Sequence, residues 1–306
     1  MYFLIFFVLV ILVLLFVYGN EGVPVFLFHK TPAGFEALVK ILKHSKVHTY
    51  TFSELYDIDL PGLHLQTNSC LLTFDDGYAD NFYYAFPILK RFKIKATIFI
   101  NTSYIGSDPD YLTWDQIKQM YASGLVDFEL HSDRHMPVFI DNKIIRKANE
   151  NDLNDKELQY LYHDKLKIGD PIFKTRSAYS EKGIILTDAF FDSRDINEIR
   201  FETDREAAKR ITEDVVLNKK LIETNLGKET HFFCWPWGHQ STFGKNVIKN
   251  AGINGFVTTC KGTNPRRFNL EHIYRIEHRV YTPFKFWITL KACQNLFLGR
   301  IYQIFS

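Results

Sequence analysis

Short apolar segments alternate with helical segments along most of this chain, and this alternation limits its possible folds more than any other feature. The apolar segments have the length and composition of buried strands and lie at residues 23–28, 69–74, 96–100, 126–130, 232–235 and 255–259. Repeated strand–helix units predict a parallel sheet with helices on its outside. An open doubly wound sheet and a closed barrel both satisfy this pattern.

The helical segments carry recognisable start and stop signals. Residues 80–92 predict a helix that Pro87 must kink or split. Thr113 and Gln116 have the spacing of a capping box, and Gly124 is suited to end the helix that follows. Apolar positions that recur every three or four residues predict further helices at 34–44, at 205–225 (with Ala208, Ile211, Val215 and Ile222 on one side) and at 241–251.

The first 18 residues contain no charged side chain and are almost all apolar or aromatic. As a helix they would rise about 27 Å, close to the thickness of a bilayer's hydrocarbon core. The segment lacks the basic start and the small-residue cleavage site of a signal peptide. We therefore predict a single-pass membrane anchor at residues 1–19, in preference to a signal peptide or a buried helix. Neither flank is rich in Lys or Arg, so the orientation of this segment in the membrane is weakly specified. We expect the folded domain to lie outside the cytoplasm.

Two later stretches differ from the strand–helix pattern. Residues from about 141 to 203 are rich in Asn, Asp, Lys and Arg and predict an inserted loop region over one end of the barrel, within a domain spanning residues 22–282. Residues 283–306 predict a C-terminal amphipathic helix. This helix either lies on the membrane surface or caps the barrel, and the sequence favours neither reading.

Composition excludes some partners. The net charge is +2 and no basic run occurs, so we expect no nucleic-acid partner. The four cysteines are far apart and form no CxxC pair, which excludes a zinc knuckle and predicts free thiols that are mostly buried.

Two polar clusters each come directly after an apolar strand. Asp75 and Asp76 are adjacent carboxylates, which repel each other unless they share a cation. His131 and His135 are four residues apart and reach one ion if the segment turns helically. Imidazole nitrogen and carboxylate oxygen together suit zinc and leave a position open for water. Taken alone, the first cluster also fits a polar turn and the second fits exposed loop histidines.

The position of these residues decides between the two sheet types. His29, Asp75, His131 and Trp237 all fall just after predicted strands. In a barrel, the carboxyl ends of the strands converge on one face. We therefore favour a barrel over an open sheet.

Three motifs in the chain resemble those of a known family. Residues 73–77 (TFDDG) and 131–135 (HSDRH) resemble the first two motifs of the polysaccharide deacetylases, the NodB-homology family of carbohydrate esterases. Residues 233–238 resemble the family's third motif, an aromatic-Pro-aromatic-Gly turn. The resemblance covers most of residues 23–140 and 205–280 and is nearest the poly-N-acetylglucosamine deacetylase branch. It implies a distorted (β/α)7 barrel, a divalent metal that is usually zinc, and removal of N-acetyl groups from sugars.

The resemblance also implies roles for individual residues. Carried over by position, Asp75 is the general base, and Asp76, His131 and His135 bind the metal. The backbone N–H of Trp237 is the donor to the tetrahedral oxyanion.

The chain departs from the family pattern at two places. Many members have an arginine in the third motif that tethers the base, but residues 234–235 here are Cys-Trp, and we expect Arg275 to fill that role. Many members also have a late histidine that acts as general acid. Our candidates here are His272 and His278, with His29 as a more distant one, and each also fits a structural or surface role.

These observations predict a membrane-anchored hydrolase that deacetylates an amino sugar. Its expected partners are the membrane and an N-acetylated glycan, either an envelope polysaccharide or a lipid-linked precursor. The short linker after the anchor motivates the lipid-linked substrate. An O-deacetylase or deformylase with the same site, and an inactive glycan-binding protein, are the alternatives. The four motif residues are all present, which disfavours the inactive protein.

Overall fold

The computed structural model describes residues 21–59, 62–136, 140–174, 182–277 and 282–305. The strands are β1 (Gly22–Val23), β2 (Val25–Phe28), β3 (His48–Tyr50), β4 (Ser69–Asp76), β5 (Ala96–Ile100), β6 (Val126–Leu130), β7 (Ile144–Lys147), β8 (Pro171–Phe173), β9 (Ile184–Leu186), β10 (Ile199–Phe201), β11 (Phe232–Cys234), β12 (Gly255–Lys261), β13 (Asn264–Pro265) and β14 (Ile273–Glu277). The α-helices are α1 (Phe35–His44), α2 (Phe52–Asp59), α3 (Phe86–Phe92), α4 (Trp114–Ala122), α5 (Lys156–Leu161), α6 (Asp188–Ser193), α7 (Asp204–Leu226), α8 (Thr242–Asn250), α9 (Pro283–Cys293) and α10 (Leu296–Phe305).

Seven parallel strands close into a barrel in the order β2, β4, β5, β6, β11, β12 and β14, and β14 pairs with β2 again. Strand β3 pairs with the first residues of β4, on the edge that β5 occupies farther along. The predicted distorted (β/α)7 barrel is therefore confirmed. Its closure brings the carboxyl ends of β4, β6, β11 and β12 to one end.

Alternate residues of each barrel strand face different environments. In β6, Val126, Phe128 and Leu130 belong to the apolar core beneath the surrounding helices. Asp127 and Glu129 lie on the other face of that strand and are fully buried. Lys228 enters from the amino-terminal end of the barrel, and its Nζ lies 3.0 Å from Glu129 Oε1 and also contacts Asp127. This cation offsets the charge of two buried carboxylates inside the barrel.

The helix signals read from the sequence are mostly confirmed. Thr113 and Gln116 form the reciprocal capping box of α4. A π-helical turn at Asn81–Ala85 precedes α3, so the predicted helix is split near Pro87. The sequence predicted Ala208 on the apolar face of α7, but the fully buried alanine is Ala207. The apolar face is therefore rotated by one residue near the start of the helix.

The inserted region is a folded lobe, and the prediction of an inserted loop region at 141–203 is wrong in that respect. Two antiparallel strand pairs, β7–β8 and β9–β10, surround a core that includes Tyr162 and Phe190. The apolar residues lie on short strands, short helices and turns, so they show no long period in sequence. Asn154 and Asp155 reach the cavity at the carboxyl end of the barrel, as expected of an insertion over that end.

The C-terminal segment forms two helices instead of the single predicted helix. Asn295 separates them, because its side chain accepts hydrogen bonds from the N–H groups of Phe297 and Leu298 at 3.0 Å and so begins α10. Phe286 and Leu290 of α9 pack into the barrel's outer core. This packing agrees with the reading in which the segment covers the barrel.

No helix within the described residues is both long and apolar enough to cross a membrane. The predicted anchor at residues 1–19 lies outside the described residues, and so does His278. Both therefore stay predictions of the sequence.

Candidate active site

A buried arginine–carboxylate pair lies at the carboxyl end of β4. Arg275 of β14 donates from Nη1 to Asp75 Oδ1 at 2.7 Å and from Nη2 to Asp75 Oδ2 at 2.8 Å. Its Nε donates to the carbonyl of Thr258 at 2.8 Å, which fixes the guanidinium from behind. Both side chains are almost fully buried. The two parallel hydrogen bonds fix the orientation of the Asp75 carboxylate, which is the contact expected of Arg275.

Burial and neighbouring charges act on Asp75 in opposite directions. Burial by itself would raise the pKa of the Asp75 carboxyl. The positive charge of Arg275, with a further contribution from His131 when its imidazole is protonated, outweighs burial and lowers that pKa. Asp75 is therefore ionised at neutral pH and able to accept a proton.

Asp76, His131 and His135 converge beside this pair. Oδ1 of Asp76 lies 3.4 Å from Nε2 of His131 and 3.4 Å from Nε2 of His135. One ligand atom from each residue falls within 4.8 Å of the other two. Three donors at this separation can surround a single cation.

The orientation of His131 is fixed from the side away from Asp76. Its Nδ1 lies 2.8 Å from the carbonyl oxygen of Cys234 and donates to it in the neutral tautomer. This contact leaves Nε2 facing Asp76 with its lone pair available. A second hydrogen bond of this kind is the usual support of a metal-ligating histidine.

The donor set fits a divalent cation. Asp76 Oδ1 is buried, and no described group donates a hydrogen bond to it in good geometry. A cation at this position would satisfy that oxygen, and two imidazoles with one carboxylate suit zinc. A second group, formed by Asp75, His131 and Cys234, fits less well. Asp75 is already paired with Arg275, and burial raises the pKa of the Cys234 thiol, so it stays protonated.

Left-handed backbone conformations are concentrated at the site. Asp76, Ser132, His135 and Trp237 have φ values of +73°, +69°, +52° and +58°. Such values cost free energy in residues other than glycine and persist only where surrounding contacts hold them. Here the unusual backbone turns ligand side chains toward one point.

The loop that carries both histidines is held by residues that the sequence did not indicate. Asp214 of α7 accepts hydrogen bonds from the backbone N–H of Asp133 at 3.1 Å and of Arg134 at 3.4 Å. Thr102 Oγ1 donates to Asp133 Oδ1 at 2.6 Å. Asn218, one turn after Asp214, donates to Thr102 Oγ1 at 3.0 Å. A fully buried Asn within the apolar face of α7 was the available signal.

A cavity of about 730 Å³ opens above the cluster. Tyr78, Tyr104 and Tyr111 form an aromatic wall, with ring centroids 5.4 Å apart for Tyr78–Tyr111 and 5.0 Å for Tyr104–Tyr111. Trp237 lies at the same opening, with its ring centroid 5.2 Å from that of His135. A volume of this size accommodates a small molecule or a few sugar units.

The two described histidine candidates for the general acid, His272 and His29, lie at opposite ends of the barrel. His272 is not at the site, and the prediction that it is catalytic is wrong. It directly precedes Ile273, the first residue of β14, so it lies at the opposite end of the barrel, where burial and Lys245 lower its pKa. His29 follows β2 and lines the cavity with Asp75 and Asp76. Its charge also helps to lower the pKa of Asp75.

Part of the chain is similar in sequence to known polysaccharide deacetylases. Residues 64–181 match the family model described as polysaccharide deacetylase. The putative polysaccharide deacetylase YxkH of Bacillus subtilis is 28% identical over 156 residues, which cover 47% of this chain and 54% of that protein. The poly-beta-1,6-N-acetyl-D-glucosamine N-deacetylase of Staphylococcus aureus is 33% identical over 136 residues, covering 42% of this chain and 46% of that protein. The chain thus spans about half the length of the curated relatives it matches.

Solved structures share the fold over most of the chain. IcaB from Ammonifex degensii has a TM-score of 0.59 and 19% identity, covering 90% of this chain and 98% of that one. The BpsB deacetylase domain from Bordetella bronchiseptica has a TM-score of 0.60 and 20% identity, covering 84% of this chain and 96% of that one. At these identities the likeness establishes the barrel alone.

Proposed function

This chain contains a domain of the polysaccharide deacetylase family, and from that premise we propose that it removes N-acetyl groups from the glucosamine units of an envelope polysaccharide. One observation carries the proposal. The buried Asp75–Arg275 pair lies directly beside the convergent donors of Asp76, His131 and His135, at the floor of an open cavity. A positioned base next to a cation site is the arrangement that amide hydrolysis requires.

The reaction we propose consumes one water molecule per acetyl group. A divalent cation held by Asp76, His131 and His135, which we propose to be zinc, would supply Lewis acidity toward the water and the amide carbonyl. Asp75 accepts the proton of the water as its oxygen bonds to the carbonyl carbon. The C–N bond then breaks, and the products are acetate and a free amine on the sugar.

Two further groups complete the proposed chemistry. Trp237 is placed at the cavity mouth, where its backbone N–H is our candidate donor to the oxyanion that forms on the carbonyl oxygen. His29 lines the same cavity and is our candidate to protonate the amine as it leaves. It replaces His272 in that role.

The cavity's chemistry favours a neutral glycan polymer over a lipid-linked, phosphate-bearing sugar. Its rim carries the carboxylates of Asp108, Asp110, Asp155 and Glu277, and no Lys or Arg lines it among the described residues. A phosphate group would be repelled by this rim, whereas sugar rings pack well against the tyrosine wall. We also propose that the protein is anchored in the membrane by residues 1–19 and acts outside the cytoplasm, on the basis of the sequence.

Product analysis tests the proposal. The full chain is incubated with β-1,6-linked N-acetylglucosamine oligomers, and the products are examined for free amine and acetate. We expect both in equal amounts, with loss of turnover in the Asp75→Asn variant. Acetate without free amine, from an O-acetylated glycan, would instead support an O-deacetylase. Tight glycan binding without any product would support an inactive binding protein.

A further inference from the structure

The last two helices present an apolar outer surface. Among the side chains of α9 and α10 that the structure describes, six large apolar ones are at least 45% exposed: Phe284, Trp287, Ile288, Phe297, Leu298 and Ile304. On α9 the exposed residues follow each other at helical spacing, so they form one stripe opposite the face that packs on the barrel. None of these six side chains belongs to the buried barrel core, to which α9 contributes Phe286, Leu290 and Cys293. An exposed apolar stripe on an otherwise packed helix marks an interaction surface.

The charges beside this stripe have one sign. Residues 283–306 contain Lys285, Lys291 and Arg300 and no Asp or Glu. All three basic side chains are exposed. An apolar stripe with basic neighbours is typical of a helix that lies at the interface of an anionic bilayer. Each such cation adds to the attraction toward an anionic lipid surface.

The start of the described chain lies against the same helices. Glu21 forms a β-bridge with Asn295, the residue between α9 and α10. The backbone N–H of Gly22 donates to the carbonyl of Gln294 at 2.9 Å. The uncharged apolar sequence of residues 1–18 ends only three positions before Glu21. Whatever apolar phase that segment enters must therefore lie close to the junction of α9 and α10.

From these three observations we propose that α9 and α10 dock on the surface of a lipid bilayer with anionic headgroups, next to the point where the N-terminal segment enters it. The apolar stripe inserts at the level of the acyl boundary, and the basic side chains contact the headgroups. A protein partner would leave both the single sign of charge and the neighbouring N-terminal segment unexplained.

Docking at this place also orients the active site. The chain runs from Glu21 through β1 and β2 to His29, which lines the cavity. Eight residues of extended chain span about 26 Å. The cavity is thus about that far from the bilayer entry point, with its mouth at the other end of β2. A barrel held this way reaches glycan chains beyond the headgroups.

Fluorescence quenching tests the docking directly. The full chain is reconstituted in vesicles of phosphatidylcholine and phosphatidylglycerol, with and without brominated acyl chains. Bromine quenches only tryptophans that reach the acyl region, and Trp287 is the tryptophan on the stripe. We expect quenching to fall by more than half in Trp287→Phe, with activity unchanged. Equal quenching of the two proteins would overturn the proposal.

A variant that lacks the three basic side chains provides a second test of the docking. Replacing Lys285, Lys291 and Arg300 by Gln leaves the stripe and Trp287 in place. We expect quenching of Trp287 to lose its dependence on phosphatidylglycerol content. Unchanged dependence would contradict the role of these cations. If residues 1–20 cover the stripe instead, Trp287 would be shielded from both brominated lipid and aqueous acrylamide, and the proposal would fail.

Discussion

Replacing Arg275 by methionine would leave the buried carboxylate of Asp75 without its guanidinium partner. The variant loses two hydrogen bonds to Asp75, at 2.7 and 2.8 Å, and one to the Thr258 carbonyl. Removing one partner from a fully buried ion pair costs about 3–5 kcal/mol of folding free energy. Since domains are stable by only about 5–15 kcal/mol, we expect a large fall in the urea midpoint without loss of the fold.

The effect on catalysis follows from the pKa of Asp75. In the native protein the pKa is lowered, so the pair contributes stability above the ordinary carboxyl pKa of about 4 and loses it as pH falls through the lowered value. Without Arg275, burial is opposed mainly by His131, so the pKa of Asp75 rises and a smaller fraction of its carboxyl groups is ionised at a given pH. The variant should lose the contribution of a general base, about 10²–10⁴-fold in kcat/KM. The acid limb of its pH profile should move to higher pH.

A matched control separates the catalytic loss from the loss of stability. Lys228 is also a buried cation between carboxylates, but it lies at the amino-terminal end of the barrel. Lys228→Met should destabilise the protein to a similar extent and leave kcat/KM and the acid limb unchanged. If Arg275→Met kept wild-type activity and the wild-type acid limb, or if both variants lost activity equally, the assignment of Arg275 as the tether of the base would be refuted.

Three further variants test other parts of the site. His29→Gln should lower kcat on an N-acetyl substrate by about 10²-fold, measured as amine release. Asp214→Leu leaves two N–H groups of the histidine loop without their acceptor, and zinc affinity measured by competition with a chelator should fall by about 10–100-fold. Gly238→Ala places a Cβ 2.0 Å from Thr259 Oγ1 at a φ of +70°, so a lowered melting temperature is expected.

The sequence was sufficient for the barrel and for the residues on its floor. Regular strand–helix alternation predicts parallel strands, and polar residues directly after strands predict where their carboxyl ends meet. This reasoning placed Asp75, Asp76, His131 and His135 together, because each belongs to a strand end. Arg275 was predicted to tether the base because the third motif lacks the arginine that does so in many members of the family. In the structure its side chain reaches the same carboxylate from β14.

The remaining features depend on contacts that have no local signal. His272 was misplaced because β14 is short and its apolar run is interrupted by Arg275, so the strand's start was not visible. Asp214 and Asn218 support the histidine loop only because α7 packs against β6 and the turn after β5. The inserted lobe was predicted as a loop region because its core is assembled from short strands and short helices that are distant in sequence.

Metal titration coupled to product formation tests the central claim most directly. The chelator-treated full chain is titrated with zinc, while bound metal and amine released from an N-acetylglucosamine oligomer are measured together. We predict that one equivalent binds and that amine release rises in proportion to it. In Asp76→Asn, tight binding and turnover should both be lost. Full turnover by the metal-free chain, or unchanged zinc binding by Asp76→Asn, would contradict the account.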